Sequence, residues 1–139
     1  MPDIGATIRT HTLADATVSG LVSTRMYSDV LPQSVTLPAI TYNLPDTIPN
    51  EHLAGIVDMS RARIQIDCYA TTRTVANSLA DAVRLQLETY RGTVGSQFIN
   101  NITMPTGESY RFDVPEAGTD RRRYITSQDF FVFYRTTTS

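Results

Sequence analysis

The chain has 139 residues, 41% apolar and 19% charged, with twelve basic and fourteen acidic side chains giving a net charge of -2. That length suits one domain, and the composition is too apolar for intrinsic disorder. A mildly acidic total argues against a surface devoted to gripping phosphates, and a single cysteine, Cys68, excludes an internal disulfide.

In chain order, Ile4, Ile8 and His11 recur at helical spacing after Asp3, and the pattern continues through Val18, Leu21 and Val22. These predict one helix, broken near Asp15 and ended by Gly20. Two short β-prone runs, RMYSDV and PAITYN, follow between Arg25 and Asn43, with Pro32 and Pro38 marking them as short or edge strands. Leu44 to Met59 holds two prolines and a glycine without sustained period, which predicts a long loop and a candidate contact arm.

From Ser60 to Ala70 the apolar set Ala62, Ile64, Ile66, Cys68 and Ala70 alternates with Arg61, Arg63, Gln65, Asp67 and Tyr69, the signature of a strand with one buried face. A helix over Arg73 to Tyr90 follows, with Val75, Ala76, Leu79, Val83, Leu87 and Tyr90 on one stripe and Gly92 placed to end it. Three further strands are predicted over Ser96 to Met104, Glu108 to Val114 and Arg122 to Thr136. In the last, Phe130, Val132 and Tyr134 point one way and Phe131 and Phe133 the other. The fold class is therefore α+β: a mainly antiparallel sheet of five to six strands in a single domain, with two principal helices on one face. The other face must bury its aromatics under loops or another subunit.

No catalytic, metal or cofactor site is legible. His11, His52 and Cys68 lie in separate elements, GTVGS lacks the spacing and lysine of a phosphate-binding loop, and no nucleophile signature occurs. Asp113, Glu116 and Asp120 sit in a turn region without a partner histidine or lysine. Arg121, Arg122 and Arg123 alternate faces on a strand, which suits separate carboxylate partners better than one phosphate track. No stretch approaches the length of an apolar membrane span, so a soluble protein made in the cytoplasm is expected.

The order of "GLVSTRMYSDVLP", "LPAITYN", "RARIQIDCYA", "TVANSLADAVRLQLE" and "RRRYITSQDFFVFYR" resembles bacteriophage tail-completion, or tail terminator, proteins from about Ile4 to Arg135. Relatives often carry an aliphatic-aromatic pair at Cys68-Tyr69. The resemblance implies a virion protein forming a hexameric homo-oligomer ring at the head-proximal end of the tail. It would bind the tail tube protein and the head-tail connector or stopper, and let DNA pass without specific binding, cofactor or membrane. Interface candidates are then Arg121, Arg122 and Arg123, the arm residues Ile48, Glu51, His52, Leu53, Ile56 and Val57, and the outward Phe131 and Phe133. A head-side neck or stopper protein is the nearest rival; a small α+β enzyme or regulatory domain would need a cluster of titratable groups that the sequence does not offer.

Overall fold

A computed structural model describes residues 4–32, 35–48, 59–105, 107–113 and 122–135. Among these residues three helices, α1 (Ile4–Leu13), α2 (Ala16–Val22) and α3 (Arg73–Leu87), accompany seven strands: β1 (Met26–Ser28), β2 (Ala39–Ile48), β3 (Met59–Ala70), β4 (Gly92–Val94), β5 (Gln97–Thr103), β6 (Ser109–Asp113) and β7 (Arg123–Arg135).

The sheet runs β1-β2-β3-β7-β5-β4, with β6 also pairing to β7. β5 and β6 share one side of β7 end to end, against residues 131–134 and 123–127 respectively. β1 lies parallel to β2 and the other pairings are antiparallel. The architecture is α+β, as expected, but the sheet is mixed and three helices pack where two were predicted. The mainly antiparallel description missed the parallel edge strand, which becomes possible because the chain loops out between Ser28 and Ala39 before returning in the same direction.

Local chemistry explains the boundaries. Asp15 breaks the N-terminal helix by accepting the Val18 N–H at 3.1 Å, so it caps α2. α2 runs through Gly20 and stops at Ser23, whose positive φ of 56° turns the chain. The predicted cap Asp3 lies outside the described residues. Thr72 caps α3 by accepting from Val75 N–H at 3.2 Å. α3 ends three residues before the predicted Tyr90, where Thr89 turns with φ 65° and donates to Ile102 O at 2.8 Å. Gly92 is therefore not the helix stop. Its φ of 156° is one that side-chain-bearing residues rarely adopt, and a Cβ there would also press on the Tyr90 hydroxyl at 2.7 Å.

β2 continues through Ile48, which corrects the loop predicted from Leu44. Asp46, Thr47 and Ile48 pair with Arg63, Ala62 and Arg61 after a register shift beyond Asn43. A bulge there accommodates Pro45, which has no N–H to give the ladder. The central part of the predicted arm, including Glu51, His52, Leu53, Ile56 and Val57, lies outside the described residues.

The core lies between the helices and one sheet face. Ile8, Val18, Val22, Leu79, Val83 and Leu87 from the helices meet Ile64, Ile66, Cys68, Phe130 and Val132 from the two longest strands. Burial pushes the Cys68 thiol far above its ordinary value, with Asp67 and Glu108 adding to the effect. It is an inert packing residue. A polar seam borders this core: Gln128 donates to Ala80 O at 3.0 Å and to Glu108 Oε2 at 2.8 Å.

α1 is clasped to α3 by a reciprocal pair. His11 Nε2 meets Gln86 O at 3.2 Å, so this nitrogen carries the proton, and Gln86 Nε2 donates to His11 O at 2.8 Å. The imidazole stacks on Tyr90 with centroids 3.9 Å apart. Burial holds the His11 pKa below its ordinary 6.5, partly countered by the Gln86 hydrogen bond. The unfolded chain thus binds the proton more readily, so this contribution to stability is complete above pH 6.5 and is lost as pH falls through the lower folded value. The thermal midpoint should fall between pH 7.5 and 5.5, and His11→Phe should shrink that fall while keeping the stack. An unchanged pH response in the variant would remove His11 as its source.

Candidate assembly surface

Because strand side chains alternate, the register fixes a second face opposite the helices. Arg61, Arg63, Gln65 and Asp67 of β3 share it with Ser127, Asp129, Phe131 and Phe133 of β7. Among the described residues no helix or strand packs over this face.

Its middle is a network of ion pairs. Arg63 Nη2 lies 2.9 Å from Asp129 Oδ2, and Arg111 bridges Ser127 Oγ at 2.7 Å and Asp67 Oδ2 at 3.3 Å. Gln65 adds a 3.2 Å bond to Asp67 Oδ1. Asp67 is largely buried, so its ion pair with Arg111 is shielded better than an ordinary surface pair.

One end of the face differs in chemistry. Arg61 stacks over Phe131 with its guanidinium carbon 4.9 Å from the ring centroid, and Arg135 and Arg91 stack over Phe98 at 5.1 and 5.2 Å. Phe98, Phe131 and Phe133 are half-buried, while Arg91 and Arg135 are exposed. Among the described residues these three arginines meet no carboxylate. Arg61 Nε and Asn43 Oδ1 are buried without a hydrogen-bond partner among those residues. Groups left that way typically cost about 1–3 kcal/mol each.

The structure thus brings Phe131 and Phe133 together with arginines that the sequence did not single out. Arg61 and Arg135 were recognisable as polar neighbours of the aromatic positions. Arg91 and Phe98 were not, because only the β4–β5 hairpin carries them there. Of the arginine triplet, Arg121 lies outside the described residues, Arg122 is exposed, and Arg123 stacks over Tyr69 at 5.4 Å. Ile48 ends β2.

No group of three or more metal-ligating side chains occurs among the described residues, and no described helix is long and apolar enough to cross a membrane. The family model described as Tail completion protein gp17 matches residues 6–125, from α1 into β7. The chain belongs to the tail completion protein gp17 family. The resemblance read from the ordered motifs is thereby established, and with it a structural role in a phage tail. A chain from a structure titled "Virion of native gene transfer agent (GTA) particle" is similar in fold, with a TM-score of 0.67 and 16% identity over 94% of this chain and 92% of that one. A second solved structure matches with a TM-score of 0.50 and 10% identity over 97% and 98% of the two chains. No curated protein matches the sequence.

Proposed function

We propose that this tail completion protein is the terminator subunit of a phage tail. It forms a closed ring, of six subunits, on the head-proximal end of the tail tube, stops tube polymerisation, binds the head connector or stopper, and leaves a passage for the genome. The family match over residues 6–125 carries this reading, and the fold shared with a component of a gene transfer agent virion supports a place in a phage-like particle. The work is mechanical and requires no reaction. A ring subunit needs two unlike lateral surfaces that close by rotation, plus separate surfaces for the tube and the head. A helical face and a sheet face over which no described helix or strand packs supply two unlike surfaces. The net charge of -2 suits a passage through which DNA slides, since each neutralised phosphate adds affinity that would hinder transit.

Deleting the gene from its phage tests the reading. The expected particles are filled heads and separate tails of irregular, excessive length, with joining restored by the chain supplied in trans. Tails of normal length beside heads that leak DNA would assign the protein to the head-side stopper instead.

A further inference from the structure

We infer that the arginine–phenylalanine end of the sheet face opposite the helices docks into the α2–α3 cleft of a second copy of this chain, an inference that rests on the ring reading above. The donor surface is Arg61, Arg91 and Arg135 stacked on Phe131 and Phe98, with Phe133 beside them. Arginine and aromatic side chains are what interface cores concentrate, and a guanidinium lying flat on a ring keeps N–H groups at its edge for a carboxylate. Two of the face's carboxylates, Asp67 and Asp129, are already engaged by Arg111 and Arg63. Among the described residues the three stacked guanidiniums meet no carboxylate, which leaves their N–H groups open to acidic groups of another subunit.

The same chain presents them on its other side. A shallow cleft of about 360 Å³ between α2 and α3 is lined by Asp15, Asp81, Thr17, Ser78 and Leu85, with no basic residue in its wall. Leu85 is 79% exposed, the most exposed of the large apolar side chains described. Carboxylates beside an unburied leucine complement guanidiniums beside half-buried phenylalanines in both charge and apolarity. The two surfaces lie on opposite layers of one subunit, so pairing them joins unlike faces head to tail, the arrangement that a rotation closes into a ring. Duplex DNA fits the patch less well, because phosphates would leave the three phenyl rings without apolar cover.

Two variants separate the possibilities: Arg91→Glu with Arg135→Glu, both exposed, and exposed Asp81→Arg with half-buried Asp15→Asn, the asparagine retaining the helix cap. Assembly of the full chain is read by native mass spectrometry and sedimentation over a concentration series, and as copies incorporated per particle if the ring forms only on the tail. Each variant should raise the concentration needed for assembly by about tenfold or more. All four changes together should recover most of the loss, because glutamates then face arginine. Circular dichroism melting checks the fold, and Arg91→Gln with Arg135→Gln replaces the reversal if that loosens it.

Normal assembly of both variants beside an assembling parent would overturn the docking pair and leave the ring reading standing. Weakened assembly without recovery in the fourfold variant would mean that the two surfaces do not meet each other and would overturn the docking pair. Duplex DNA binding with a steep salt dependence, lost in the arginine variant while assembly stays normal, would make the patch a nucleic-acid contact. A parent chain that is monomeric in solution and in particles would sink the ring reading and this inference together.

Discussion

Phe130→Ala is expected to cost about 3–5 kcal/mol, enough to unfold much of the population of a domain whose total stability is of order 5–15 kcal/mol. Phe130 is fully buried, faces the helix layer from β7, and stands opposite Ile64 of β3 at the centre of the longest ladder. Removing its ring leaves a cavity walled by two strands that cannot close without breaking their pairing. Its neighbour Phe131 is the control. It is half-buried on the opposite face and carries Arg61 on its ring, so Phe131→Ala should cost roughly 1 kcal/mol in the isolated chain, the value of one stacked cation plus partial burial. Urea unfolding of both variants measures the difference. Equal losses would mean that this opposite face is sealed within one subunit, which would contradict its use as an interface.

This contrast also marks what the sequence made legible. Alternation of apolar and polar residues in β3, and the period of two applied to the aromatic run of β7, identified the faces of both strands, because that period leaves no freedom once one face is buried. The stripe on α3 was equally plain, since Ala76, Leu79, Val83 and Leu87 are all buried on one side. Short elements were not. β4 has only three residues, and its glycine read as a helix stop because nothing local distinguishes that from a close approach to Tyr90. Pro45 concealed the far half of β2, since a proline argues against a strand unless a bulge absorbs it. The arginine–phenylalanine patch was illegible for a different reason. It joins residues from β3, β5, β7 and the approach to β4, and the pairing register alone makes them neighbours.

Arg73 supports the second large prediction, because its position is unfavourable for a reason that its contacts overcome. As the first residue of α3 it places a cation at the positive end of a helix, costing about 0.3–1 kcal/mol. Its guanidinium nevertheless donates to Ile125 O at 2.9 Å, Thr126 Oγ1 at 3.2 Å and Arg111 O at 2.7 Å, and lies between the rings of Tyr110 and Tyr124 at 5.3 and 5.4 Å. One fork thus ties α3 to β7 and to β6, a five-residue strand whose described pairing is to β7 alone. Hydrogen bonds from a charged group contribute about 1.5–3 kcal/mol when counted singly, but they are not additive and the helix end gives some of this back. Arg73→Ala should therefore destabilise the chain by about 2 kcal/mol. The loss should be local: hydrogen exchange should quicken across Ser109–Asp113 while the central β3–β7 ladder keeps its protection. Arg73→Lys discriminates between charge and geometry, since a single ammonium cannot span carbonyls on two strands in the way the planar fork does. Lysine should recover less than half of the stability and little of the β6 protection. Full recovery by lysine would mean that positive charge between two tyrosines, and not the bridge from α3 to the sheet, holds this edge in place.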